Sequence, residues 1–429
     1  MDYVLYWARA SRRVEANRAL EKAAQLANHH ELPLLFYEEL PCAARYASDR
    51  FHYFLLEGVP ETARRLERLG IGYVFYLPRR RSDRQTVVEE LASRAAAVVA
   101  DDDPLAGATA YETVDSACIV PGWLIGQRCY AAYSMRPKIN RLLPRFLKPP
   151  APVMLRHRYR AVAPDLHTVV TEENIASLVA GCEIDHTVPP FPSFRGGRRA
   201  AEEALRCFLE GGLRRYARDK NNPAAHATSR LSPYLNYGHI GALEVALAVQ
   251  DYAARHKLMA EEFLEELIVR RELACNFCRY ADDVRSLAAL PEWVRNTLAR
   301  HAGDPRPYTY TREEFEQGRT HDALWNAAQK QLLATGAIDG YYRMYWGKKI
   351  IEWSSTPAEA LATMNVLNDR YALDGRGLNT YGNLLWCFGL HDRPWPERPI
   401  FGTVRWMSLE GMRRKTDVDT YIREIEALT

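Results

Sequence analysis

Short apolar runs alternate with amphipathic stretches over the first third of the chain, which predicts a parallel sheet with helices on both faces. The runs Tyr3–Trp7, Pro33–Tyr37, Tyr73–Leu77, Ala96–Ala100 and Ala117–Pro121 have the length and residue types of buried strands. Between them, Val14–Asn28 and Val59–Leu69 repeat their apolar residues at helical spacing. The character then changes. Pro144, Pro149, Pro150, Pro152, Pro164, Pro189, Pro190 and Pro192 punctuate a linker that holds one short helix at about 171–180. From Gly196 onward the period is helical almost throughout. Glu262–Tyr280, for example, sets apolar residues at 263, 264, 267, 268, 273, 274 and 277. The expected organisation is an α/β, Rossmann-like domain over 1–143, a proline-rich linker over 144–195 and an all-α domain over 196–429.

A chain of 429 residues is too long for a single core. Its 47% hydrophobic and 26% charged residues are ordinary for a globular protein in water. No apolar run approaches the roughly 20 residues that span a bilayer. The start, Met1–Trp7, lacks the basic segment and cleavage site of a signal peptide and reads as a first strand. Eight cysteines without regular spacing suit a reducing compartment, so a cytoplasmic protein is expected. The lone CxxC, Cys275/Cys278, lies in a helical pattern and reads as structural rather than metal-binding. Gly70-Ile71-Gly72 is too short for a dinucleotide fingerprint, and no phosphate loop, GxSxG elbow or HExxH is present. The α/β domain is therefore expected to serve something other than nicotinamide chemistry. The net charge is only +3, but nine basic residues between Arg195 and Arg230 face four acidic ones. That surplus reads either as a phosphate-neutralising surface or as a solvated helix face.

Two segments carry candidate chemistry. Residues 337–353 pack Tyr341, Tyr342, Tyr345, Trp346 and Trp353 into one helix, with Trp325 upstream and Trp386, Trp395 and Trp406 downstream. Each indole N–H demands a partner. The cluster is either a large aromatic core or a relay carrying electrons between the surface and a buried redox cofactor. In Thr228–Leu235, two hydroxyls and a cation stand just before a helix with an early proline. That turn suits a diphosphate, or is a plain helix start.

These words, with others, resemble the photolyase/cryptochrome family, and specifically class II cyclobutane pyrimidine dimer photolyases. The matching words include Gly196-Gly197, Ser232-Pro233-Tyr234-Leu235, Glu265–Ala274 with Asn276-Phe277-Cys278, and Leu324-Trp325-Asn326-Ala327. Others are Arg343-Met344-Tyr345-Trp346 with Lys348-Lys349-Ile350, Leu367-Asn368, Leu373-Asp374-Gly375-Arg376, His391-Asp392 and Glu397-Arg398-Pro399. Tyr6-Trp7, Arg13-Val14-Glu15 and Arg136-Pro137-Lys138-Ile139 extend the likeness to the N-terminal half, so that it covers nearly the whole chain.

The resemblance implies a bent FAD in the helical domain and light-dependent repair of UV-damaged DNA by a cytoplasmic, nucleoid-associated monomer. Electron transfer from the photoexcited reduced flavin would split the dimer. Tyr216, Thr228, Ser229, Leu231 and Ser232 match positions that hold the flavin's phosphates and ribityl chain. Asn368 matches the amide facing flavin N5, and Asp374 and Arg376 match positions beside the ring. Trp346 and Trp325, with Trp353 near them, match the relay that reduces the flavin in light. Glu266, with Glu265 and Glu272 as register alternatives, matches the carboxyl that holds the damaged bases. Lys220, Asn221, Met344, Trp386 and Trp395 match the lesion pocket. No metal is implied. A second, antenna chromophore of deazaflavin type is implied for the N-terminal domain.

Some words depart from the class II pattern. Lys220 replaces an Arg, Asn236-Tyr237-Gly238-His239 replaces His-Phe-Gly-Gln, and Cys275 replaces an Asp. Gly377-Leu378-Asn379-Thr380 also differs, and these changes bear on flavin and lesion. Asp115–Cys118 and Gln127–Cys129 differ too and bear on the antenna. A cryptochrome-like blue-light photoreceptor, or an FAD photoenzyme with another substrate, is the alternative expectation.

Overall fold

The computed structural model describes residues 1–83, 86–160, 165–192 and 194–428. Packing divides the chain into two units that interleave along it. One comprises Met1–Pro121, Leu143–Arg206 and Leu231–Asp251; the other comprises Gly122–Leu142, Cys207–Arg230 and Tyr252–Thr429.

The first unit holds five strands: β1 (Tyr3–Trp7), β2 (Leu34–Glu39), β3 (Gly72–Tyr76), β4 (Ala95–Asp101) and β5 (Glu112–Val114). They form one parallel sheet in the order β3-β2-β1-β4-β5. Alternation within strands explains why both faces are apolar. Val4, Tyr6, Leu34, Phe36 and Val99 meet the alanine-rich helix Arg18–His29 on one side. Tyr3, Leu5, Leu35, Tyr37 and Val74 meet Val87, Val88 and Leu91 on the other. Asn17 caps the first helix by accepting from the Leu20 N–H at 3.1 Å, so it begins at Arg18 and not at Val14.

The fifth strand is not at Ala117–Pro121, as the apolar run suggests, but at Glu112–Val114. Asp115 ends it: its Oδ1 accepts from the Ala117 and Cys118 N–H groups at 3.0 and 2.9 Å, which turns the backbone. Ile119 and Val120 are fully buried as irregular chain, so their apolar character marks burial and not pairing.

The proline-punctuated stretch runs along this unit. Tyr159 N–H bonds Gly70 O, Thr168 N–H bonds Phe75 O, and Asp49 N–H bonds Asp185 O. Its helix is Ile175–Ala180; Pro164 lies outside the described residues. Backbone bonds from this stretch to a helix end, a strand and a helix start explain why so many prolines leave an ordered path.

His239, also in this unit, is 2% exposed. Its Nδ1 accepts from the Gly197 N–H at 3.1 Å, and its Nε2 has no partner among the described residues. Burial pushes the imidazole down to about 3. The folded chain therefore keeps this ring neutral while the unfolded chain protonates near the usual 6.5, so stability is lost as pH falls from about 6.5 toward 3, by about 1.4 kcal/mol per pH unit. In thermal melts from about pH 7.5 to 4, His239→Gln is expected to remove that part of the acid sensitivity. Identical slopes for both proteins would refute the assignment.

From Arg198 to Leu428 every named element is helical. Glu261–Leu264, the π-helical turn Glu265–Arg270 and Arg271–Tyr280 form one continuous run. A second π turn, Phe208–Gly212, closes tightly: a Cβ on Gly212 would lie 2.7 Å from Phe208 Cδ2. Cys275 and Cys278 are buried on Arg271–Tyr280, and the Cys278 thiol donates to Leu378 O at 3.2 Å. Among the described residues, no helix is long and apolar enough to cross a membrane.

Candidate active site

The aromatic run forms one helix, Gly340–Trp353. Trp346 and Trp353, two turns apart, share a side of it and are 1% and 2% exposed. Trp325 arrives from Ala323–Thr335, whose first turn is capped by Asp322: Oδ1 accepts from the Trp325 N–H at 2.9 Å. The other oxygen of Asp322 takes the Tyr345 hydroxyl, tying the two helices together. Trp325 lies parallel to Trp346, at 5° with ring centroids 6.4 Å apart, and edge-on to Trp353 at 67° and 6.2 Å. Both inner indoles have partners. Trp325 Nε1 donates to the Trp346 carbonyl at 3.0 Å, and Trp346 Nε1 to Gln329 Oε1 at 2.9 Å. These bonds fix the ring planes. Beyond Trp353, the His321 ring follows at 4.8 Å and Tyr308 stacks on it at 3.7 Å. Tyr308 is 48% exposed, so a line of rings leads from core to solvent.

One turn before Trp346, Arg343 pairs with Asp374 at 2.9 Å. Arg376 has a φ of 62°, and its backbone N–H donates to Asp369 Oδ1 at 3.2 Å. Asp369 is buried, which pushes its carboxyl up, and it also accepts from the Tyr381 hydroxyl at 3.2 Å. On the helix Pro357–Tyr371, Asn368 is 3% exposed, yet its Nδ2 has no hydrogen-bond partner among the described residues. One turn earlier, Asn365 Oδ1 is likewise buried without a partner. A Cβ on Gly375 would stand 2.8 Å from the Asn368 carbonyl and 3.4 Å from that Nδ2, so only glycine allows the loop so near. Two amides one turn apart, both unsatisfied, are costly unless a ligand completes them.

Thr228 Oγ1 donates to Asp339 Oδ1 at 3.2 Å, which sets the 228–229 turn against the start of Gly340–Trp353. Tyr216 packs edge-on to Phe208 and Phe263. Leu231 and Ser232 belong to the other unit, the first buried and the second exposed. There the helix Ser232–Asn236 begins at Ser232 itself, with Pro233 in its first turn and no side-chain cap.

Lys220 Nζ sits between Glu262 and Glu266, at 2.8 and 2.9 Å. Glu265 turns the other way and takes Arg136 through two bonds of 3.1 and 2.7 Å. Glu272 is 2% exposed, in the core. Of the three register alternatives, Glu266 is the one brought to Lys220. Asn221 follows and is exposed, and Met344 is half-buried on the aromatic helix. Trp386 and Trp395 flank one guanidinium: Arg405 lies 5.6 and 4.2 Å from their centroids. Asp392 holds it there, at 2.8 and 3.0 Å. Fully buried Lys348 also lies 5.1 Å from the Trp386 ring and donates to Cys387 O at 2.5 Å. Burial pulls its ammonium down to about 8.

A DNA photolyase family model matches residues 4–119. A deoxyribodipyrimidine photo-lyase of Methanothermobacter thermautotrophicus is 39% identical, across 100% of this chain and 95% of its own. The chain belongs to the photolyase/cryptochrome family. A second such relative, from Potorous tridactylus, is 35% identical across 98% of this chain and 81% of its own. A bacterial class III photolyase from Agrobacterium tumefaciens shares the fold, with a TM-score of 0.72 at 18% identity over 99% of this chain and 86% of its own.

The partner roles of several polar residues around these side chains were not legible in the sequence. Arg405 and Asp392 fix the two tryptophans, Arg343 partners Asp374, and Gln329 orients Trp346. Each is a polar residue inside an apolar or irregular stretch, where periodicity gives no signal. The Gln127–Cys129 departure also lies elsewhere than expected. Asn276 Oδ1 accepts from the Cys129 N–H at 2.7 Å and its Nδ2 donates to Gln127 O at 3.0 Å, so this loop packs with the helical unit and not with the sheet. The basic surplus of 195–230 is largely neutralised. Arg195 pairs with Glu57, Arg198 with Glu202 and Glu244, Arg206 with Glu203, and Arg218 with Asp219.

Proposed function

We propose that this chain splits cyclobutane pyrimidine dimers in UV-damaged DNA in a light-dependent reaction, as a class II deoxyribodipyrimidine photo-lyase. The observation that carries this reading is the likeness, over the whole length, to relatives that bear that enzyme's name. The orphaned amides of Asn368 and Asn365 are what a heteroaromatic cofactor with edge acceptors and donors would satisfy, and FAD fits them. When bound, FAD supplies the light-driven one-electron donor.

The chain's own residues then have separable tasks. Asn368 would hydrogen-bond the cofactor ring edge, and the Arg343–Asp374 pair would fix the charge beside it. Tyr216, Thr228 and Ser229 would take the phosphates and ribityl chain. Trp346, Trp325 and Trp353 would pass electrons inward from the Tyr308 end. A damaged pair must leave the stack to reach a buried donor. Trp386 and Trp395 would then wall it, Met344 would pack against it, and Glu266 would hydrogen-bond the bases while Lys220 and Asn221 hold the opened strand. Arg405 and Lys348 place positive charge against the Trp386 ring, which favours an electron arriving on the lesion. Residues 196–429 would be the FAD-binding region, and residues 1–143 would carry the deazaflavin-type antenna.

The test is direct. Purified protein, fully photoreduced, is expected to restore dimer-containing oligonucleotides under blue light and not in the dark. Dimers left intact with fully reduced FAD would sink the proposal and leave a photoreceptor or another photoenzyme substrate.

A further inference from the structure

From Ser116 to Pro164 the sequence holds nine Lys and Arg and no Asp or Glu, although the whole chain carries a net charge of only +3. Within this stretch stands the helix Ala132–Phe146. Ala132, Met135 and Ile139 are its buried stripe. The opposite face presents Tyr133, Pro137 and Arg141, with Lys138 at its flank. Tyr133 is 74% exposed, and Tyr130, just before the helix, is 67% exposed. Neither the Lys138 nor the Arg141 side chain has an ion pair among the described residues. Arg136 is different: it is committed to Glu265.

The start of this helix is anchored beside two groups of the candidate lesion-binding residues. The Arg136–Glu265 pair ties it to the residue next to Glu266. His391 Nδ1 bonds Tyr130 O at 2.8 Å, and His391 directly precedes Asp392, which holds Arg405 between the two tryptophans. From Tyr133 to Arg141 the helix advances about 12 Å, or about three base-pair steps.

We infer that the outward face of this helix, from Tyr133 to Arg141, is a track for the sugar–phosphate backbone of duplex DNA flanking the lesion, separate from the pocket that takes the lesion itself. Lys138 and Arg141 neutralise phosphates, and Tyr130 and Tyr133 offer π-faces to an opened base. This assignment rests on the repair reading for its partner, but its consequences concern binding and not chemistry.

The experiment measures the affinity of the full-length, FAD-loaded protein for undamaged and dimer-containing duplexes from about 50 to 200 mM salt. For Lys138→Gln/Arg141→Gln, the slope of log affinity against log salt is expected to become shallower by about 2, at about 0.9 per lost phosphate contact. Affinity should fall about tenfold or more for both duplexes alike, while repair per bound lesion at saturating protein stays unchanged. Arg141→Gln alone, at an outward position that cannot disturb the core, should shift the slope by about 1. Arg141→Lys should keep it. An unchanged slope, a loss confined to dimer-containing DNA, or an intact DNA affinity with capture of an acidic protein by this face would overturn the inference. Should the wild type bind duplexes with this salt dependence yet leave dimers intact in light, the repair reading fails and the track stands.

Discussion

Trp346→Phe is expected to abolish efficient light-driven reduction of oxidised FAD while leaving repair by chemically pre-reduced protein close to wild type. The two halves of that result separate relay from core. Trp346 stacks on Trp325 at 5°, and Trp325 in turn meets Trp353, so the middle ring has a neighbour on each side. Replacing the inner indole leaves Trp325 and Trp353 as donors with no indole between them and the cofactor site. The stability cost should be moderate. Phenylalanine keeps most of the buried apolar area but leaves Gln329 Oε1 without its donor in a fully buried position, at about 1–3 kcal/mol. A thermal melt measures that loss independently of the photochemistry. If these tryptophans were only core, Trp346→Phe would lower stability by the same amount and leave the rate of photoreduction intact.

The period of the sequence located most of the fold because sheet and helix each impose a repeat that burial makes visible. β1 and the helix Val59–Leu69 fall where the pattern puts them. It misled where burial and regular structure part company. Ile119 and Val120 are apolar because they are covered, but Asp115 had already bent the chain out of the sheet. The π turn at Glu265–Arg270 is another case: apolar spacing stays near-helical across it, so nothing in the pattern reveals the extra residue that sets Glu265 toward Arg136 and Glu266 toward Lys220. At the site, aromatic residues were conspicuous by their bulk, whereas their orienting partners were not. Gln329, Asp322 and Arg405 are ordinary polar letters until the fold brings them against an indole.

The pairing of Asn368 with a ligand makes the second large prediction, because one substitution should raise cofactor-free stability and lower affinity for the cofactor. No protein group among the described residues accepts from the buried Asn368 Nδ2, and Asn368→Leu replaces the amide by an apolar group of similar size. Cofactor-free Asn368→Leu protein should therefore be more stable than wild type by about 1–3 kcal/mol in denaturant unfolding. With FAD present that gap should narrow. The wild type gains a hydrogen bond that leucine cannot make, worth about 0.5–1.5 kcal/mol, so FAD should dissociate up to about tenfold more readily from the variant. Asn368→Asp separates the role of the amide from that of shape. Its carboxylate can accept but not donate when ionised, and it repels negative charge, so the variant should bind oxidised FAD but hold the reduced, anionic form poorly. A cofactor-free Asn368→Leu chain that unfolds earlier than wild type would mean that the amide already has a protein partner. An unaltered FAD affinity would mean that it points away from the ring. Either result removes the residue that most specifically ties this helical unit to a flavin.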